Sequence, residues 1–268
     1  MIGTFEHEEV RFAYEIVGEG QPVVLLHGLG GDRAQALGLV PDGPWRKVAI
    51  DLRAHGDTEP VGRTDAFNFL TFSGDLASFL DSQGIDVAVV VGVSLGAGVA
   101  LRVALDHPER VRALGLIRPA WIHVPLTQGQ LVWPEIVRLL RIEGRERGLE
   151  TFRASDVYAK VREVSEYAAE SLCSQFRDPR AVERVPRLDG LPNSTPYNDP
   201  SDLARVVAPT LVVGSAQDPQ HPLEFAHAWA DGLPDARFLE VTSKAIDPDI
   251  HNREVRTAME RFLREVLA

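Results

Sequence analysis

The sequence predicts an α/β fold: a mostly parallel sheet with helices on both faces and a helical cap insertion. Three observations predict it. Short apolar runs rich in β-branched residues, at 23–26, 87–91, 111–117 and 209–214, alternate with stretches of helical apolar spacing, the pattern of parallel strands joined by crossover helices. That alternation is interrupted once, from about Arg118 to Leu203, by a stretch without a convincing strand. Polar residues capable of chemistry, His27, Asp51, Ser94 and Asp218, all fall just past the ends of predicted strands, and ligands bind at the carboxyl ends of strands in such sheets.

Residues 10–17 partly alternate in polarity and read as an outer antiparallel strand. A turn at 18–22 leads to the buried strand 23–26, which ends in the Gly-rich loop 27–32. The next strand, 45–50, leads into 51–58. Residues 71–83 read as a helix with Phe72, Leu76, Phe79 and Leu80 on one face. The run from Val87 passes through Gly92-Val93-Ser94-Leu95-Gly96 into a helix, which stops near Asp106-His107-Pro108 because the residue before proline disfavours helix.

After the strand 111–117, helical patterns lie around 129–147 and 156–177, followed by a proline-rich exit at Pro186, Pro192, Pro196 and Pro200. The length of this stretch favours a cap over ordinary crossover helices. The expected division is therefore a core of residues 1–118 and 204–268 and a cap of 119–203. Sheet character returns at 209–214, followed by a helix at 222–232, a strand at 237–242 and an amphipathic helix from Arg253 with Val255, Met259, Phe262 and Leu263 inward.

The chain has 268 residues, 44% of them hydrophobic, enough for one large domain or a domain with an insertion. A formal charge of −11 argues against binding nucleic acid or an anionic membrane surface. No apolar run approaches the ~20 residues of a membrane span, and the acidic start of the chain has no apolar signal core. A cytoplasmic protein acting on a small-molecule substrate, as monomer or homodimer, is the expectation. The single cysteine, Cys173, permits no intrachain disulfide and reads as a packing residue. The eight histidines show no metal-ligand spacing, and no phosphate-binding loop is present. Neither metal nor cofactor is expected.

Strand, G-x-S-x-G, helix is the setting of a nucleophile elbow, in which a sharp turn lifts a serine hydroxyl above the sheet edge beside free helix amides. On its own the pentapeptide also fits a buried Gly-rich turn with an incidental serine. Four motifs in order carry a resemblance: His27-Gly28, Asp51-Leu52-Arg53-Ala54-His55-Gly56, Gly92-Val93-Ser94-Leu95-Gly96 and Gly214-Ser215-Ala216-Gln217-Asp218. Over nearly its whole length the chain resembles the α/β-hydrolase superfamily. The resemblance implies a serine–acid–histidine triad in chain order, an oxyanion hole and a cap.

It makes Ser94 the nucleophile, Asp218 the acid, and the backbone N–H groups of Leu29 and Leu95 the oxyanion hole. Serine at the elbow disfavours the halide-displacing and epoxide-opening relatives, which carry aspartate there. The family's base comes last, in a Gly-His pair after the final strand. This chain has no such pair, and Ala245 falls near that position. His251 is the histidine in the right region and is the expected base; its competing reading is a surface histidine at a helix start. His221 and His227 come early and are expected on the helix after Asp218, and a role for Lys244 has little support. Asp51 and Arg53 are expected to hold a loop network, and His55 to lie exposed in it. His27, which shapes its loop, and Gly28, Trp121 and Trp133 are the candidate pocket residues.

The expected function is a serine hydrolase cleaving a small ester, lactone or related acyl substrate through an acyl-enzyme. The alternatives are a cofactor-free C–C hydrolase, lyase or perhydrolase on the same site, or a non-catalytic ligand-binding member with an impaired triad.

Overall fold

The computed structural model describes residues 1–126 and 132–268. Its strands are β1 (Ile2–His7), β2 (Val10–Val17), β3 (Gln21–Leu26), β4 (Trp45–Ile50), β5 (Ala88–Val93), β6 (Val111–Ile117), β7 (Thr210–Gly214) and β8 (Ala236–Glu240). They form one eight-stranded sheet in the order β1-β2-β4-β3-β5-β6-β7-β8. Only the β1–β2 and β2–β4 pairs are antiparallel. The sequence places β2 at the edge, but β1 lies outside it, paired from Ile2↔Glu15 to His7↔Val10. An edge strand half exposed along its length carries little apolar signal.

The pleat sends alternate side chains to opposite faces, and each face has its own core. Val24, Leu26, Val48, Val90, Leu114 and Val212 face one way. Helices α2 (Phe69–Ser82) and α3 (Leu95–Asp106), introduced after α1 (Arg33–Leu37), cover that side. Val23, Leu25, Val89, Val91, Ala113 and Val213 face the other way, against α1 and the C-terminal helix.

Between β6 and β7 lie α4 (Val132–Arg153), α5 (Asp156–Val164), α6 (Glu166–Arg177) and α7 (Val185–Gly190). The predicted helix 129–147 begins partly within 127–131, outside the described residues. The α4 segment bends at Gly144, where φ is 75°. The predicted helix 156–177 is two helices: Ser165 ends α5 and caps α6, its side chain accepting the Ala168 N–H at 3.1 Å. These helices are fastened to loops past the strand ends. Gln175 donates to the Leu29 carbonyl at 3.1 Å, and Arg184 donates to that of Gly56 at 2.6 Å.

The chain then forms β7, α8 (Leu223–Gly232), β8 and α9 (Pro248–Val266). Helix α9 starts earlier than the apolar spacing indicates. Asp247 accepts the N–H groups of Asp249 and Ile250, and Pro248 occupies the first turn, where its missing N–H costs nothing.

Candidate active site

Ser94 stands between the end of β5 and the start of α3, with φ 54° and ψ −113°. A non-glycine residue in this region carries strain of order 1–3 kcal/mol and persists only where its surroundings enforce it. Here a Cβ on Gly92 would overlap the backbone of Gly96, and one on Gly96 would overlap the Leu26 and His27 carbonyl groups. Strand and helix therefore approach to a distance only glycine permits. The Ser94 N–H donates to the Ile117 carbonyl at 2.9 Å, which ties the turn to the neighbouring strand.

The imidazole that meets Ser94 belongs to His221. Its Nε2 lies 2.9 Å from Ser94 Oγ, and its Nδ1 lies 3.0 Å from Asp218 Oδ2. Local chain geometry explains the pairing. The His221 N–H donates to the Asp218 carbonyl at 3.1 Å, closing a four-residue turn with Pro219 at its second position. The Gln220 N–H donates to Asp218 Oδ1 at 3.2 Å. The turn sets carboxylate and imidazole side by side. Since a carboxylate only accepts, it selects the tautomer with hydrogen on Nδ1 and leaves Nε2 to accept the serine proton.

Arg118, immediately after β6, closes the cluster. Its Nε donates to Asp218 Oδ2 at 3.0 Å and its Nη2 makes a shorter bond to the same oxygen. Nη2 also lies 2.9 Å from His221 Nδ1. Burial raises the Asp218 pKa, but the charges of His221 and Arg118 outweigh it and hold the carboxyl well below the usual range. Burial, then the Arg118 charge, lowers the His221 pKa against the pull of Asp218. The ring is thus neutral at pH 7, the form that can take a proton.

The structure does not join His251 to Ser94 or Asp218, which corrects the sequence expectation. His251 is buried in the first turn of α9, with Nδ1 2.8 Å from the Thr242 carbonyl. Burial draws its pKa down to about 4. The expectation required the base to follow the last strand, whereas the turn at 218–221 supplies a histidine directly. His221 precedes α8 rather than lying on it. His227 is on α8, its ring 4.3 Å from that of Phe238.

Leu95 opens α3, where its N–H has no intrahelical acceptor. Leu29 N–H has no protein acceptor among the described residues. The loop carrying it is fixed on both sides: Gly28 N–H donates to Gln35 Oε1 at 2.7 Å, and Gln175 holds the Leu29 carbonyl. A cavity of about 90 Å³ joins Gly28, Leu29, Ser94, Trp121, Trp133, His221 and Lys244. His27 is not among its lining residues, a second correction. It is buried, with Nδ1 2.8 Å from the Gly28 carbonyl and Nε2 accepting the Leu52 N–H at 3.0 Å. It holds two loops together. His55, expected exposed, is buried against the Arg53 carbonyl at 2.7 Å. Asp51 accepts the Asp57 N–H at 2.9 Å and Arg53 grips Asp75, the expected loop network.

A wider hollow of about 520 Å³ lies beside the β1–β2 hairpin, among Glu6, Glu8, Glu9, Glu59 and Arg180. Its lining includes no serine, and the side chains that converge on Ser94 make the smaller cavity the candidate site. Among the described residues, His7, Glu8 and Asp75 bring possible metal-ligand atoms within 4.8 Å of one another, but Arg53 already donates to both carboxylates.

The alpha/beta hydrolase fold family model matches residues 21–246. The chain belongs to that family. It is 26% identical over 264 residues to a putative carbamate hydrolase, RutD, of Azorhizobium caulinodans, covering 89% of this chain and 91% of that protein. A stretch of 113 residues is 39% identical to the dihydrolipoyllysine-residue acetyltransferase component of the acetoin cleaving system of Cupriavidus necator, spanning only 30% of that protein. The fold matches a thermophilic esterase from Thermogutta terrifontis with a TM-score of 0.76 over 100% of this chain and 98% of the other, at 21% identity. The chain is a hydrolase of the α/β fold. Sequence reasoning missed His221 and Arg118. The Asp-Pro-x-His spacing was the available signal for the first; the second has none, because its partners lie about a hundred residues away.

Proposed function

We propose that this hydrolase cleaves a small ester, lactone or related acyl compound through a covalent Ser94 intermediate, with His221 as general base and Asp218 orienting it. The observation that carries the reading is the His221 ring held 2.9 Å from Ser94 Oγ and 3.0 Å from Asp218 Oδ2. Ser94 Oγ attacks the carbonyl carbon as Nε2 takes its proton. The amides of Leu29 and Leu95 receive the negative oxygen. The imidazolium, stabilised by Asp218, returns the proton to the leaving group. Water, activated by the same ring, then releases the acid and restores the serine.

The helices between β6 and β7 act as the cap, and Trp121 and Trp133 limit the acyl group. A cavity of about 90 Å³ is small beside the roughly 300–1,000 Å³ of ordinary ligand pockets, which favours a short acyl chain. The test is labelling with a fluorophosphonate and turnover of 4-nitrophenyl acetate. Both are expected in the wild type and neither in Ser94→Ala. Full turnover by Ser94→Ala defeats the proposal.

A further inference from the structure

We propose that Lys244 is a specificity-determining residue that binds a carboxylate on the substrate, so that the preferred substrate is a short ester or lactone bearing an acidic group. The inference rests on the acyl-transfer reading above and names its substrate class.

Lys244 lines the same cavity as Ser94 and His221. The described residues lining that cavity include no aspartate or glutamate, and residues 127–131, outside the described part, contain none in sequence. The lining also includes Arg118, whose charge is paired with Asp218 through Nε and Nη2, and His221, a neutral ring held between Ser94 and Asp218. Among the described residues Lys244 has no carboxylate partner. Its Nζ meets the Tyr167 hydroxyl at 3.2 Å and lies 5.2 Å from the centre of that ring.

An ammonium half-withdrawn from water beside a nucleophile, with no anion of its own, is a costly arrangement that a bound carboxylate relieves. Burial and the Arg118 charge draw the Lys244 pKa down to about 8 against the opposing pull of Asp218, which leaves it mostly protonated at neutral pH. Tyr167 orients the ammonium without neutralising it. Of the uncharged polar side chains in the lining, Gln175 and Gln220 donate to the Leu29 and Ala168 carbonyls and Gln35 accepts the Gly28 N–H, while Ser171 and the Trp133 indole carry no charge. Lys244 is therefore the group with charge to offer a ligand.

The experiment compares kcat/KM for monomethyl succinate with that for methyl succinamate, a neutral partner of nearly equal size, by pH-stat at pH 7. The wild type should favour the acid by roughly tenfold or more, the contribution of a charge-assisted hydrogen bond. Lys244→Gln should bring the ratio of the two constants close to one, and Lys244→Arg should retain most of it. A merely structural lysine would lower both constants together and leave the ratio unchanged.

Equal constants in the wild type, or a preference that survives Lys244→Gln, overturn the inference. So does fluorophosphonate labelling of Ser94 in an enzyme that leaves monomethyl succinate intact, an outcome that spares the acyl-transfer reading. Absence of any Ser94 labelling defeats that reading itself, and the inference with it.

Discussion

Replacing His221 by alanine and, separately, His251 by glutamine distinguishes the two histidines as the base. The Ser94 hydroxyl is 2.9 Å from His221 Nε2, whereas the Nδ1 of His251 is 2.8 Å from the Thr242 carbonyl. Among the described residues His221 is the imidazole within hydrogen-bond distance of Ser94, so on the proposed reading its removal takes away the serine's proton acceptor and leaves Asp218 with Arg118 alone. In serine triads such a loss lowers kcat by about 10⁴-fold or more, equivalent to at least ~5 kcal/mol of transition-state stabilisation. Some acceleration over water survives, because the Leu29 and Leu95 amides are untouched. His251→Gln keeps a group able to donate to Thr242 and should stay within about threefold of wild type, since among the described residues no hydrogen bond joins it to Ser94, Asp218 or His221. The assay is kcat/KM on 4-nitrophenyl acetate at pH 7.5, together with the rate of fluorophosphonate labelling, on variants whose circular dichroism matches wild type. A His221→Ala enzyme keeping more than a tenth of the activity, or a His251→Gln enzyme losing as much as His221→Ala, refutes the reasoning.

Three further outcomes are expected. The acid limb of kcat/KM should lie below pH 6.5, since burial and then Arg118 lower the His221 pKa. In Arg118→Met, with Asp218 and Lys244 still facing the ring, its midpoint should move up; an unmoved limb denies Arg118 that influence. Ser94→Gly should abolish turnover yet raise stability by roughly 1 kcal/mol, the relief of an unfavourable φ less the entropy glycine adds to the unfolded chain, as read from urea midpoints; a less stable variant contradicts the strain. The fold binds no proton at His251 until about pH 4, against 6.5 for the ordinary side chain. Its stabilising share is therefore complete above pH 6.5 and is lost as pH falls toward 4, at about 1.4 kcal/mol per pH unit. His251→Gln should flatten the stability–pH slope in that window, and an unchanged slope speaks against it.

Much of the fold is legible because its signals are local. The strand at 45–50 and the ends of α2 and α3 follow from apolar spacing and from Pro108, and the turn at Ser94 follows from glycines two residues to either side. β1 was not legible: its half-exposed residues alternate weakly, and its place is set by pairing with β2. The early start of α9 depends on the cap at Asp247 rather than on apolar period. The site divides the same way. Ser94 and Asp218 sit at strand ends that sequence spacing locates, but the chain-order rule for the base is a habit of the family and not a constraint of geometry. A proline turn can bring a histidine three residues after the acid to the serine as readily as a loop from the far end of the chain. Arg118 was invisible because its ion pair depends on β6 and β7 being neighbours in the sheet.

Holding acid and base on one turn changes what the rest of the site must do. The serine follows β5, Arg118 follows β6 and the Asp218–His221 turn follows β7, three strands adjacent in the sheet. Their relative positions are set by backbone ladders instead of by a long loop, and Arg118 ties the end of β6 to the Asp218–His221 turn. The segment after β8 then has no base to deliver. Near the position where the family resemblance implies histidine, this chain has Lys244-Ala245, and Lys244 lines the same cavity as Ser94. Under the proposed reading, Lys244 has no part in proton transfer and lies in the cavity that holds Ser94, so its charge bears on the choice of substrate rather than on the chemical step.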